Sequence, residues 1–161
     1  MIHPQFEFVL SAVRTALNLP GLQPADDGTC QLVVDDEIVV NLGWMEAQAQ
    51  VVWFAPVGSL KGAADRSRAL ADLLRANLFW QETGGATLAL AKDDDTVVLA
   101  YQTPAHNITG EEVLAVLQWF IDMTAAWVDK FDALVRPPEE AAAPGMGSFT
   151  LGAFASGMLR G

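Results

Sequence analysis

Three short β-rich runs decide the fold: TCQLVV at residues 29–34, IVVNLGW at 38–44 and QAQVVWFA at 48–55. Valine, isoleucine and aromatic residues dominate these runs, as they do in β-strands. Only the acidic stretch 35–37 separates the first two runs, which predicts a tight hairpin. Pro56 and Gly58 follow the third run and are expected to end this meander of strands.

Helical patterns lie on both sides of the meander. Apolar residues spaced three and four apart predict a helix over residues 6–19 and a leucine-rich helix over about 63–80. Two more strands are expected at 86–91 and 96–102, and the capping-box pattern TGEE at 109–112 begins a long helix. The resulting order, α-β-β-β-α-β-β-α, predicts an α+β fold. Its sheet is mainly antiparallel and twisted, with about five strands accompanied by three helices.

The last part of the chain has a different composition. Residues 136–161 are rich in proline, alanine, glycine and serine. We therefore expect residues 1–135 to form one domain and residues 136–161 to form a tail without a core of its own.

The charge balance excludes several classes of function. Nine basic and 20 acidic residues give the 161-residue chain a formal net charge of −11. A nucleic-acid-binding protein needs a basic surface to displace counterions from phosphates, and an anionic membrane surface repels an acidic protein. Hydrophobic residues make up 52% of the chain but occur in short periodic groups, not in a run of about 20 that could cross a bilayer. Neither nucleic acid nor a membrane is expected as a partner.

Residues suited to catalysis are few and isolated. The two histidines are His3, near the start, and His106, in a predicted loop. The single cysteine, Cys30, alternates with apolar residues and is expected in the core. The acidic run 93–95 lacks the spacing and the distal glutamate of a calcium loop. We therefore expect no enzymatic activity, no catalytic residue, no metal site and no cofactor.

The same features favour a reducing compartment. One cysteine cannot form an internal disulfide, and the first residues lack the basic region of a secretory signal. A cytoplasmic location is the expectation.

Apolar residues occur on both faces of the predicted meander. Val33 and Val39 point away from the main apolar face of their strands, and Val51 and Trp53 alternate with other apolar residues. A sheet with helices on one face normally alternates apolar and polar residues. Either a helix or the tail covers the second face, or this face binds another polypeptide. The candidates for such a binding surface are Val33, Val39, Val51 and Trp53.

The predicted second helix carries more large apolar side chains than one face can hold. It ends in LFW at residues 78–80, beyond its leucine stripe. Packing within the monomer would bury these side chains, and so would self-association, for which a twofold dimer is the commonest form.

Four stretches are similar to those of a known family: LPGLQPADDGTCQL at 19–32, LADLLRAN at 70–77, GGATLAL at 84–90 and ITGEEVL at 108–114. In that family a glycine-led G-x-C-x-L strand precedes an acidic turn, as at residues 28–37 here. In order, spacing and acidity, residues 6–134 resemble the class I type III secretion chaperones of the Tir-chaperone type, which act in the bacterial cytosol.

The resemblance implies a homodimer that binds a secreted effector near its N-terminus, keeps that segment extended and presents it to the secretion apparatus, with the secretion ATPase as a further partner. The effector would cover hydrophobic patches and add a strand to a sheet edge. Dimerisation through the middle helix would map onto four leucines: Leu70, Leu73, Leu74 and Leu78.

Two alternatives remain open. A chaperone-fold protein of this kind can sequester a regulator of type III secretion gene expression instead of an effector. A small enzyme or ligand-binding domain that uses His106 with the acidic run 93–95 is a further alternative.

Overall fold

The computed structural model describes residues 2–92 and 94–137, and in them three helices and five strands follow in the predicted order. The helices are α1 (Pro4–Leu17), α2 (Arg66–Ala76) and α3 (Gly110–Val135). The strands are β1 (Cys30–Val34), β2 (Ile38–Met45), β3 (Gln50–Ser59), β4 (Thr87–Leu90) and β5 (Thr96–Pro104). The predicted α+β fold is confirmed. Of the predicted tail, residues 138–161 lie outside the described residues.

The strands form one antiparallel sheet in the order β1-β2-β3-β5-β4, so that β1 and β4 are its edges. The predicted hairpin joins β1 to β2 and pairs Val33 with Val39. Its turn places Asp35 and Asp36 in the left-handed region of backbone space, the geometry that fits the twist of a tight hairpin.

The core lies between one face of the sheet, here called the inner face, and helices α1 and α3. The α3 residues at spacing three and four are buried, and Trp119 meets Tyr101 of β5 edge-on with ring centroids 4.7 Å apart. Phe6 of α1 lies 6.3 Å, between ring centroids, from Trp44 of β2. The predicted capping box begins α3, because Thr109 and Glu112 each accept the other's backbone N–H.

The third strand is longer than predicted. It continues past Pro56 and Gly58 to Ser59, with a register shift between Pro56 and Gly58 in its pairing with β5. This irregularity lets the proline stay within the strand. Gly58 is needed for a different reason, since its α-carbon approaches the buried ring of Phe131.

The second helix is shorter than predicted. It ends at Ala76, and a 3₁₀ turn over Leu78–Trp80 replaces its last turn. Phe79 and Trp80 both have left-handed φ values there, which bulky residues rarely adopt. The helix therefore stops where tertiary contacts of Asn77, described below, redirect the chain.

The Gly58→Ala variant should be strongly destabilised. The added methyl carbon would lie 2.1 Å from Cδ1 of Phe131, whose ring is in the core. Overpacking of this kind costs about 3 kcal/mol, measured as the free energy of unfolding in urea. Gly21→Ala is the matched control, because a methyl at Gly21 meets nothing within 4 Å. Equal stability of the two variants would contradict the packing of Phe131 against Gly58.

Candidate functional site

The face of the sheet opposite α1 and α3, here called the outer face, is apolar, and among the described residues its apolar side chains are exposed or partly exposed. Val33 is 56% exposed, and its partner Val39 is partly exposed. The cross-strand register places the neighbouring β3 and β5 side chains on the same face. The apolar members of the outer face are Val33, Val39, Val52, Phe54, Val98 and Ala100.

Two of the four predicted binding residues do not belong to this face. Val51 and Trp53 are 1% and 0% exposed and lie in the core. Trp53 is paired with Leu42, and its indole N–H donates to the Thr103 hydroxyl at 3.0 Å. The prediction that both side chains lie on the second face is therefore wrong.

The error has a physical cause. Residues 51–54 are apolar at every position, so a period of two cannot tell which pair faces the helices. In the folded protein the cross-strand partners of Trp53, Leu42 on β2 and Tyr101 on β5, belong to the core or pack against it, which assigns Trp53 to the inner face. Val52 and Phe54 take the places on the outer face that the sequence assigned to Val51 and Trp53.

A groove of about 590 Å³ adjoins the outer face at Val52 and Phe54. Trp44 lies on its wall and stacks on His3, with ring centroids 4.3 Å apart. The acidic rim includes Asp27, whose carboxylate accepts hydrogen bonds from the hydroxyl and the N–H of Thr29. These hydrogen bonds lower the pKa of Asp27 below its ordinary value, so the rim carries negative charge near neutral pH.

The four leucines proposed for the dimer do not share one face of α2. Leu73 is 5% exposed and belongs to the core, and Leu70 packs against the core from outside. Leu74 and Leu78 are instead 71% and 63% exposed. Other large exposed side chains follow them in the chain or lie on β4, and this set is here called the α2 patch: Leu74, Leu78, Phe79, Trp80 and Leu90.

In the described residues, the side chains considered for chemistry make no hydrogen bond or ion pair with one another. The Nδ1 atom of His3 accepts the N–H of Gln5 at the start of α1, and His106 is exposed in a loop. Cys30 is buried, which raises the pKa of its thiol above the ordinary value. Across residues 2–92 and 94–137, no three histidine, cysteine, aspartate or glutamate residues lie together as a metal site would require.

The acidic hairpin after β4 has structural contacts. Asp94 accepts the N–H of Thr96 at 2.7 Å, and Asp95 pairs with Arg66 at the same distance. Asp93, the first residue of the run considered for ligand binding, lies outside the described residues. Among the helices described, none is long and apolar enough to span a membrane.

The sequence profile of the Tir chaperone protein (CesT) family matches residues 9–128, which is most of the chain. The protein belongs to this family. This membership confirms the resemblance predicted from the sequence, and the general role of the chain is that of a type III secretion chaperone. Comparison with curated proteins found no match.

Solved structures share the fold of this Tir-chaperone family member. A chain from the complex of the Yersinia pestis type III secretion chaperone SycH with a stable fragment of YscM2 is 28% identical, with a TM-score of 0.55 over 74% of this chain and 96% of that chain. A chain of the HopA1–SchA chaperone–effector complex is 16% identical, with a TM-score of 0.61 over 80% and 94%. A chain of the ExsC–ExsE complex is 20% identical, with a TM-score of 0.65 over 75% and 89%. The last two likenesses show the fold alone.

Proposed function

We propose that this protein is a cytoplasmic, homodimeric chaperone that binds the N-terminal region of a type III secreted effector, keeps it extended and delivers it to the secretion apparatus. The observation that carries the proposal is the apolar outer face of the sheet, which in residues 2–92 and 94–137 is at least partly exposed and is bordered by the edge strand β1. Holding a segment extended requires apolar contacts and free backbone groups, and no catalytic side chain. The protein is therefore proposed not to be an enzyme.

The effector segment is proposed to lie along β1 and across the outer face. Within the described part of the chain β1 is an edge strand, so one row of its backbone N–H and C=O groups has no strand beside it and could pair with an added one. Val33 projects beside that row and would contact alternate side chains of the segment. Of the residues predicted from the sequence, Val33 and Val39 keep this role, joined by Val52 and Phe54.

The second copy of the chain is proposed to contact the α2 patch. An exposed group of large apolar side chains is costly in water, and contact between two equal patches around a twofold axis would cover both. Of the predicted leucines, the exposed Leu74 and Leu78 are proposed to make this contact, whereas Leu73 is buried in the core of the monomer.

The test is to isolate the tagged wild-type protein from its host, measure the mass of the intact complex by native mass spectrometry and identify the polypeptide bound to the chaperone. Two copies of the chain with one type III secreted polypeptide are expected, and deletion of the chaperone should reduce export of that polypeptide. If the partner is instead a regulator and deletion changes transcription of the whole secretion system, the regulatory alternative is correct. A monomer without a partner would contradict both.

The Val33→Asp variant should lose the partner in the same experiment, because a carboxylate on the outer face opposes burial under an apolar segment. Val128→Asp is the matched control, since Val128 is an exposed valine of α3, away from the sheet. Recovery of the partner should fall at least about tenfold for Val33→Asp, which corresponds to roughly 1.4 kcal/mol. Equal recovery with both variants would remove the outer face from the binding site.

A further inference from the structure

The two edges of the sheet differ in what their backbone groups contact. At β4, the side-chain amide of Asn77 donates to the carbonyl oxygen of Leu88 at 2.9 Å and accepts the N–H of Leu88 at 2.8 Å. A carboxamide has one donor and one acceptor side, so it reproduces the pair of hydrogen bonds that a neighbouring strand would make. Asn77 thus stands where a sixth strand would begin.

The position of Leu88 makes this contact effective. In an antiparallel ladder successive residues direct their backbone groups to opposite sides. Leu88 and Leu90 therefore face the free edge of β4, whereas Ala89 faces β5. The N–H of Ala91 donates to Thr96 at 2.8 Å, which agrees with this alternation. Because β4 has only four residues, Asn77 occupies one of just two outward-facing positions.

Asn77 is itself held firmly. Its N–H donates to the Leu73 carbonyl at 3.3 Å as the cap of α2, and its own carbonyl accepts the Trp80 N–H at 3.2 Å. The side chain is partly buried. The left-handed backbone at Phe79 and Trp80 costs about 1–2 kcal/mol per residue, so these contacts must outweigh it.

The edge of β1 carries no comparable group. Among residues 2–92 and 94–137, no side chain hydrogen-bonds to the backbone of Cys30–Val34, and no strand lies beyond it. The side chain of Gln31 instead donates to the side chain of Asn41 on the adjacent strand.

We propose that the Asn77 carboxamide closes the β4 edge to strand addition and thereby directs an added extended segment to the β1 edge. The direction to β1 rests on the proposed function, which supplies the extended segment. The closure of β4 does not, because an open edge can pair with any strand, including β4 of a second copy.

The closure of the β4 edge is tested by measuring self-association of the protein. Asn77→Ala removes the carboxamide, and the exposed β4 edge should pair with that of another copy. Sedimentation velocity at increasing concentration should then show species at least twice the mass of the wild-type species. Asn77→Asp keeps an acceptor for the Leu88 N–H and places a charge on the edge, which opposes strand pairing. This variant should keep the wild-type mass.

Asn41→Ala is the control for loss of an asparagine that bonds a strand carbonyl, since Asn41 donates to the Phe54 carbonyl at 3.3 Å. It should also keep the wild-type mass. If Asn77→Ala stays at the wild-type mass, or if all three variants assemble alike, the proposal is overturned. Assembly of Asn77→Asp to the same extent as Asn77→Ala would overturn it too, because lost stability would then explain both.

A measurement that leaves Asn77 in place keeps the proposal testable if Asn77→Ala does not fold. In the Leu74→Asp variant, in which the proposed dimer contact at Leu90 is absent, the Leu88 amide should exchange its hydrogen with solvent at least about tenfold more slowly than the outward-facing Leu90 amide, because Asn77 protects only the former. Equal exchange rates would refute the closure. The proposed function is tested separately, by capture of the partner with the wild-type protein and its loss with Val33→Asp. A failure of the β4 closure can therefore be told apart from a failure of the proposed function.

Discussion

Trp53→Asp should yield no folded protein, whereas Val33→Asp should fold with nearly wild-type stability. Trp53 is fully buried, and its indole N–H is bonded to Thr103. Loss of a buried tryptophan costs about 3–5 kcal/mol, and an unpaired carboxylate in its place adds several kcal/mol more. The sum is comparable with the whole stability of a domain, about 5–15 kcal/mol.

Val33, in contrast, is more than half exposed on the outer face. A surface substitution there should change the free energy of unfolding by about 0.5 kcal/mol. Circular dichroism and urea unfolding would separate the two variants: no cooperative transition for Trp53→Asp and a normal one for Val33→Asp. A folded Trp53→Asp protein would contradict the placement of β3 against the helices.

Leu74→Asp should convert the proposed dimer to a monomer, whereas Leu73→Asp should unfold the chain. The two residues are adjacent in α2, yet Leu74 is 71% and Leu73 only 5% exposed. A twofold axis would bring Leu74 into the interface twice, so each substitution removes two apolar contacts and buries two carboxylates. A loss of about 3 kcal/mol in total would weaken the dimer by more than about 100-fold.

Native mass spectrometry and sedimentation would measure this change over a range of concentrations, with Val128→Asp of α3 as the control. The Leu74→Asp monomer should keep its circular dichroism spectrum, since Leu74 has little contact with its own core. A dimer that persists in Leu74→Asp at the wild-type affinity would remove the α2 patch from the interface.

Much of the fold follows from local patterns. The hairpin around residues 35–37 could be predicted because β-rich runs flank a three-residue acidic turn, and the capping box at Thr109 and Glu112 because its hydrogen bonds join residues three apart. The buried stripe of α3 likewise repeats at the helical period. These features depend on neighbours in the chain, so the sequence is sufficient to find them.

The candidate site was only partly predictable. Val33 and Val39 could be assigned to the second face because each lies between residues of a clear apolar alternation. The alternation of apolar and polar residues is absent at residues 51–54, and Val51 and Trp53 were wrongly assigned to the second face there. The predicted leucine stripe of α2 included residues of the core and residues of the surface. The sequence could not separate them, because the apolar residues LFW at 78–80 leave the end of the predicted helix without a polar face.

The sequence by itself determined the order of helices and strands, the acidic character and the family, since each depends on local spacing or on sums over residues. Only the tertiary structure decided which face of β3 meets the helices, where α2 ends and which edge strand is bonded by the Asn77 side chain. Each of these depends on contacts between distant residues, such as Trp53 with Thr103, Gly58 with Phe131 and Asn77 with Leu88. Local periodicity carries no information about those distances.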